Sequence, residues 1–585
     1  LMEALLSKME NKLLTTDGRL ELLKDVTQEG LLTLTTADIR GNSYHVFEQA
    51  PANLREYYQL GFMHGDWTHI VFEGERFQFK ETMERSNQLA NSLVKDYGIK
   101  KGDKVAFSMR NYPEWMFTYI AVTSIGAIAV PLNSWWKGDE LEYGLDNSES
   151  KLFIADEERL DRVKNILPSL PRIAVRSSKP EYADIDFDKI IENSNTELET
   201  IVEIKPEDDA SIMYTSGSTG HPKGVLLTHR GIIFAPFYWI TITTMGRLAE
   251  ISNDESTDSE TENNYQNATL LSVPLFHVTG CHAIFLLSIA VGRKTVMMYK
   301  WDPEKALDLI EEEKISAFTG VPTMSSEIVE AQRKNPRNIE TLKDLLGGGS
   351  ARPPEQVRKQ KEHLPKTNPG IGYGMTETNA LGANNTGEVY VQKPESTGYA
   401  LPLLMALKVI DDDGNDLNTN QSGEVCIKSA STFKGYWKNK KATDDALTSD
   451  GWVKTGDIGY LDDDGFLYIN DRKKDLVIRG GENISCIEVE SSICEHPSVL
   501  EASVFGVPDD RLGEILATYI CVREDSTLTE DELSSFLSEK IANFKIPTHY
   551  RFQKDKLPRI ASGKIAKIDM RKEAVEPLKT NGNIK

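Results

Sequence analysis

Short apolar runs rich in β-branched residues alternate with helical hydrophobic patterns through most of the first 400 residues. A strand-like run at 105–108 precedes a helical pattern from Pro113, and another at 269–274 precedes one around 282–291. The run 294–299 leads into a helical pattern over 303–313 and then into a further run at 316–322. Such alternation predicts parallel sheets covered by helices, because parallel neighbours need a crossover connection. From about residue 400 the texture changes to hairpin-like runs with Asp-Gly turns at Asp413-Gly414, Asp450-Gly451 and Asp464-Gly465. A basic joint, Arg472-Lys473-Lys474, follows, and the remaining residues mix α and β patterns, including a helix near 529–542 capped by Thr529 or Thr527. The expected fold class is α/β. A large N-terminal body over 1–471, of parallel-type sheets covered by helices, includes a β-rich subdomain at about 400–471. A hinge at 472–474 then joins it to a small mobile α+β C-terminal lobe over 475–585.

Composition narrows the function classes. A chain of 585 residues, 39% hydrophobic and 27% charged, has room for several domains and ordinary globular usage, which excludes a mostly disordered protein. Its 67 basic and 90 acidic residues leave a net charge of −23, so the broad positive field that nucleic acid or an anionic membrane would need is missing. Five cysteines (Cys281, Cys426, Cys486, Cys494 and Cys521) form no C-x-x-C pair, which points to a reducing compartment without disulfide framework or structural zinc. The uncharged stretch 115–132 contains Thr, Ser and Gly and reads as a buried helix, so no stable membrane insertion is expected. The N-terminal residues lack a secretory pattern and the C-terminal ones a peroxisomal address, which makes the cytoplasm the expected location; a targeting segment lost before Leu1 stays open. The segment 250–267 holds six acidic and no basic residues and reads as a solvated, mobile loop.

The strongest single feature is Tyr214-Thr215-Ser216-Gly217-Ser218-Thr219-Gly220-His221-Pro222-Lys223-Gly224-Val225. Glycines and hydroxyls at this density make a loop that can wrap oxyanions with backbone N–H and side-chain O–H donors, and Lys223 adds a point charge. It follows a strand-like run at 210–213. Gly224 follows Lys223 where the P-loop of nucleotide triphosphatases has Ser or Thr, so this is a different phosphate loop.

The segment resembles the signature of the AMP-forming adenylating enzymes: acyl-CoA synthetases, firefly-type luciferases and peptide-synthetase adenylation domains. Further motifs match in family order. Gly347-Gly348-Gly349-Ser350-Ala351 resembles the turn lining the adenine pocket, and Gly372-Tyr373-Gly374-Met375-Thr376-Glu377-Thr378 resembles the Y-G-x-T-E element. The resemblance implies that Tyr373 packs on adenine, Thr376 contacts phosphate and Glu377 coordinates Mg²⁺. Gly451-Trp452-Val453-Lys454-Thr455-Gly456-Asp457 is similar to W-x-x-T-G-D, whose aspartate, here Asp457, accepts from the ribose. Asp471-Arg472-Lys473-Lys474 matches the joint, with Arg472 reaching ribose or phosphate and Lys474 at the hinge. Gly480-Gly481-Glu482-Asn483-Ile484 looks like a pantetheine tunnel wall. Pro558-Arg559-Ile560-Ala561-Ser562-Gly563-Lys564-Ile565 resembles the element carrying the catalytic lysine, Lys564, with Ile560 in place of the usual Thr.

What the resemblance implies is ATP-dependent activation of a carboxylic acid as an acyl adenylate, then transfer to coenzyme A. ATP, Mg²⁺ and CoA are the expected cofactors and co-substrates. A small-molecule acid, ATP and CoA are the partners, nucleic acid is not, and a homodimer is an open option. Arg479, Phe544 and Lys545 are candidates for CoA's nucleotide part beside Gly480 and Gly481. In Pro274-Leu275-Phe276-His277-Val278-Thr279-Gly280, His277 stands where amino-acid-activating relatives carry an Asp, which argues for a plain fatty or aryl acid. His277, Val278 and Gly372 are the expected acyl-pocket residues, with Trp437 compatible with such acids. A fatty acyl-AMP ligase that loads a carrier protein, and a luciferase-like or inactive ligand-binding relative, are the alternatives.

Overall fold

The computed structural model describes residues 11–215, 221–253 and 265–580. Two eight-stranded sheets dominate the body. In the first, Asp209–Thr215, Ile128–Pro131, Lys104–Ser108, Leu152–Asp156, Arg172–Val175 and Ile185–Asp186 run parallel in that spatial order, and Lys223–Thr228 and Gly435–Tyr436 close one edge antiparallel. In the second, Asn368–Gly374, Asp344–Gly348, Ala317–Gly320, Ala268–Leu271, Lys294–Met297 and Thr68–Phe72 are parallel, flanked by antiparallel Gly382–Thr386 and Glu75–Gln78. The parallel strands read as continuous apolar runs because helices cover their faces.

Helix Pro113–Ser124 is buried at all twelve positions, so its sequence is apolar all round rather than striped. The stretch 115–132 is therefore not one helix: the chain turns at Gly126, where φ is 72°, and continues as strand Ile128–Pro131. Around 282–291 the helical pattern starts earlier than expected, as a π-helix over Thr279–Leu286 that passes into α-helix Leu287–Val291. The run 316–322 shortens to Ala317–Gly320, because Pro322 opens helix Pro322–Lys334 at a position that needs no N–H.

Helix His229–Asn253 reaches into the segment read as an acidic loop, so that loop starts no earlier than 254, and residues 254–264 lie outside those described. On its far side Gln266 Nε2 donates to the carbonyls of Thr68 and Gly292, at 2.8 and 3.0 Å. The same helix is one that the membrane reading did not consider. Its stretch His229–Glu250 is long and apolar enough to cross a bilayer, although Pro236 interrupts it and 56% of its apolar window is buried inside the body. Arg230 and Arg247 lie within it near its two ends, so its uncharged run is only 231–246.

The β-rich subdomain is a four-stranded antiparallel sheet of Met405–Ile410, Gly423–Ser429, Val453–Leu461 and Leu467–Arg472. Asp464-Gly465 closes its last hairpin, Asp413-Gly414 lies in the connection between its first two strands, and Asp450-Gly451 turns the chain from helix Lys440–Ala446 into the third. The small lobe packs helices on a five-stranded sheet in which Gly513–Val522 and Val499–Asp509 form the long hairpin. Its helix Glu530–Ser538 is shorter than expected and is capped by Thr529 in a reciprocal capping box with Glu532.

Candidate active site

The chemistry-bearing motifs converge where the second sheet, the antiparallel subdomain and the small lobe meet. Tyr373 and Gly374 end strand Asn368–Gly374, and the chain then tightens into a 3₁₀ turn over Thr376–Thr378. A side chain at Gly374 would sit 2.4 Å from the Ala380 carbonyl oxygen, so only glycine permits this return. Tyr373 Oη donates to Asp457 Oδ2 at 2.7 Å, and Arg472 Nε lies 3.3 Å from Asp457 Oδ1. Three residues assigned to adenosine by separate motifs thus form one chain of contacts. Burial pushes the Asp457 carboxyl up, opposed chiefly by the Arg472 charge.

Lys564 enters from the small lobe. A Cβ on Gly349, at φ 78°, would be 3.2 Å from Lys564 Cε, so the lysine stem lies across the glycine turn. Neighbouring Gly563 packs on the body, where an added Cβ would meet Met324 Cε at 3.0 Å. Burial, reinforced by Arg472 and opposed by Asp457, lowers the Lys564 ammonium to about 8. Gly349, Ser350 and Ala351 are exposed beside it, while Gly372 and Thr376 are half-buried.

Glu377 is only 5% exposed. Its Oε1 accepts from Tyr436 Oη at 2.6 Å, and Lys223 Nζ lies 4.4 Å from the centre of the Tyr436 ring. Burial raises the Glu377 carboxyl, with the Tyr436 hydrogen bond and the Lys223 charge opposing. Tyr436 was not visible as a site residue in the sequence, since Gly435–Tyr436 is a two-residue edge strand with no pattern of its own. Thr215 and Lys223 are paired across an antiparallel hairpin. The phosphate-loop motif therefore connects two antiparallel strands, and Ser216, Gly217, Ser218, Thr219 and Gly220 lie outside the described residues. Among the described residues no group of three His, Cys, Asp or Glu gathers for a metal. A single buried carboxylate suits a hard cation whose other ligands are phosphate oxygens and water.

On the acyl side, His277 N–H donates to the Pro274 carbonyl at 3.2 Å and its ring packs on Phe276 at 4.6 Å. Burial, with Lys564 adding to it, lowers the imidazole to about 3, so this position is neutral. Val278 is buried next to it. Trp437 does not join them: its indole donates to the Asn147 carbonyl at 2.8 Å and packs in the hydrophobic cluster of the first sheet. The expected contribution of Trp437 to the acyl pocket is corrected accordingly.

Lys474 is exposed in the turn between Leu467–Arg472 and Val477–Arg479. Just before it, buried Asp471 accepts from the Cys486 N–H at 2.6 Å and ties the turn to the first helix of the small lobe. Gly480 and Gly481, at φ 59° and 92°, form the two-residue turn of a hairpin whose mirror-type geometry favours glycine. Arg479 donates to the Phe544 carbonyl, and Lys545 Nζ pairs with Glu488 at 2.7 Å. These candidates for CoA cluster on the small lobe, and among the described residues no hydrogen bond or ion pair joins them to the Tyr373–Asp457 group. The five cysteines are unpaired and buried.

Comparison with known proteins shows the family. The family described as AMP-binding enzyme matches residues 62–437, and the AMP-binding enzyme C-terminal domain matches 488–564. A long-chain-fatty-acid–CoA ligase of Bacillus subtilis is 32% identical over 87% of this chain and 92% of its own. A 2-succinylbenzoate–CoA ligase of Bacillus licheniformis is 33% identical over 85% and 95%. The solved o-succinylbenzoate CoA synthetase of Bacillus subtilis, in complex with its acyl-adenylate intermediate, superposes with a TM-score of 0.72 at 27% identity, covering 89% of this chain and 98% of that one. With both domains matched in order and relatives aligned over nearly their whole length, the chain belongs to the AMP-binding enzyme family.

Proposed function

We propose that the protein activates a fatty or aryl carboxylic acid with ATP and transfers the acyl group to coenzyme A. The observation that carries this reading is Lys564, lying across Gly349 within the field of Arg472 and Asp457. A carboxylate is a poor electrophile, since its leaving group would be an oxide. Attack of a carboxylate oxygen on the α-phosphorus forms the acyl–phosphate bond and breaks the bond to the bridging oxygen, releasing pyrophosphate. Three anionic groups meet in that step, so preorganised cations and N–H donors supply most of the rate. Lys564, still mainly protonated at neutral pH with a value of about 8, bridges the attacking and phosphate oxygens. Lys223 and the glycine- and hydroxyl-rich motif before it hold the leaving phosphates, and Tyr373, Asp457 and Arg472 hold the adenosine. Glu377 would hold the Mg²⁺ that accompanies ATP, which offsets charge on the phosphates. No general base is required, because the nucleophile is already ionised.

In the second half-reaction the CoA sulfur, having lost its proton, attacks the carbonyl carbon and AMP departs. Among the described residues no hydrogen bond or ion pair joins Gly480, Gly481, Arg479, Phe544 or Lys545 to Lys564, Asp457 or Tyr373, which supports a rotation about Lys474 between the steps. Neutral His277 supports an acid without an ammonium group, as does likeness to a fatty-acid ligase and to an aryl-acid ligase. The test is pyrophosphate release over a panel of fatty and aryl acids, with CoA supplied or omitted. Acyl-CoA formation from at least one class supports the reading; release that stalls after one turnover with CoA present favours a carrier-protein acceptor.

A further inference from the structure

Glu377 is held by a neighbour that none of the family-like motifs contains. Tyr436 is 8% exposed, its N–H donates to Thr443 Oγ1 at 2.8 Å, and its ring meets Phe433 edge-on at 5.0 Å. It pairs with Val225, on the strand that starts at Lys223. The Phe433 N–H donates to the Glu377 carbonyl at 2.7 Å, so residues 433 and 436 grip Glu377 at backbone and side chain together. Gly435 is fitted to this approach, since a Cβ there would lie 2.9 Å from Thr443 Cγ2.

The chemistry of the grip is specific. A buried carboxylate requires a partner, and an arginine or lysine in direct contact would both orient it and neutralise it. A phenol orients it and leaves the negative charge in place. It occupies Oε1, and among the described residues no side chain hydrogen-bonds Oε2. The same ring lies under Lys223 Nζ at 4.4 Å, a cation–π distance, which stations a phosphate-directed cation beside the carboxylate without an ion pair that would consume both charges. Outer partners of this kind set ligand orientation and tune affinity for a cation.

We propose that Tyr436 is a positioning residue that aims Glu377 Oε2 at the divalent cation accompanying ATP while its ring parks Lys223; this rests on the assignment of Glu377 above. The test measures binding of α,β-methylene-ATP by calorimetry with and without Mn²⁺, so that the ratio of the two affinities reports the metal's contribution. Tyr436→Phe keeps the ring and its packing and removes only the hydroxyl. It should lower the Mn²⁺-dependent gain in affinity by about 10-fold. Metal-free binding should stay within about twofold and the melting temperature within a few degrees of wild type. In a Glu377→Gln background the same change should add no further loss, because the hydroxyl acts through the carboxylate. An unchanged metal gain in Tyr436→Phe, beside a reduced one in Glu377→Gln, overturns the positioning role alone. Additive losses overturn it too. No effect of Glu377→Gln overturns the metal assignment and the proposal with it.

Discussion

Lys556 Nζ of the small lobe stands 2.7 Å from Glu327 Oε1 of the body, six residues along helix Pro322–Lys334 from the Val321 junction that packs on Gly563. Val321, just before the helix, and Met324, Glu327 and Glu330 within it are spaced three apart, so each neighbours the next in a row that winds around the helix. The first two touch Gly563, and Glu330 pairs with Arg523 at 3.2 Å. This row of contacts holds the lobe in the orientation that places Lys564 against Gly349.

Weakening that row should bias the two half-reactions in opposite directions. The ion pairs are partly exposed, so each is worth up to about 1 kcal/mol and is screened by salt. Glu327→Gln combined with Glu330→Gln should slow adenylation by about 5–30-fold at low salt and leave conversion of synthetic acyl-AMP with CoA unchanged or faster. Wild type and mutant should converge in 0.5 M salt. Equal slowing of both half-reactions would mean that the contacts are merely structural.

Proline at position 474 should separate the steps by blocking the turn. Lys474 is exposed, and no backbone hydrogen bond uses its N–H among the described residues, so Lys474→Pro removes no bond from the fold. It fixes φ where rotation needs freedom. Acyl-AMP formation should persist while thioester formation falls by about 100-fold or more. Wild-type acyl-CoA production by a folded Lys474→Pro protein would move the hinge elsewhere.

The lowered Lys564 value sets a pH dependence. The ammonium is present below about 8 and lost above it, so kcat/KM for adenylation should decline on an alkaline limb near pH 8. Lys564→Arg, charged throughout, should lose that limb even if its rate is lower. Stability runs the other way. The unfolded chain holds the proton up to the ordinary lysine value of 10.5, so the burial cost of Lys564 is full below pH 8 and is relieved as pH rises through 8. Lys564→Met should thus raise the melting temperature at pH 7 and raise it less at pH 9.5. A pH-independent gain would show that Lys564 is not buried as a cation.

The sequence carried the site wherever one short segment brings its own chemistry. Tyr373, Glu377, Asp457, Arg472 and Lys564 each sit in a motif, and the structure joins Tyr373, Asp457 and Arg472 by direct contacts although 84 residues separate Tyr373 from Asp457. Partners supplied by tertiary packing left no local trace. Tyr436 reaches Glu377 across 59 residues from a two-residue strand, and the docking row of helix Pro322–Lys334 looks like any polar helix surface. Trp437 was misplaced for the same reason, since its neighbour Asn147 lies 290 residues away. The π-helix at Thr279–Leu286 escaped because hydrophobic spacing cannot distinguish i→i+5 from i→i+4 bonding in an apolar run.

The measurement that bears most directly on the account compares Lys564→Ala with wild type in the two half-reactions. Lys564 meets Gly349 only while the small lobe is docked on Val321 and Met324, so its charge should serve adenylation alone. With acid and ATP, the mutant should lose at least ~100-fold, on the order of 3 kcal/mol, as when one preorganised donor is removed from developing charge. With synthetic acyl-AMP and CoA it should run within about twofold of wild type, because that step begins after the lysine has left. Equal loss in both reactions, in a protein that binds ATP and keeps its melting temperature, would contradict the account, as would no loss in either.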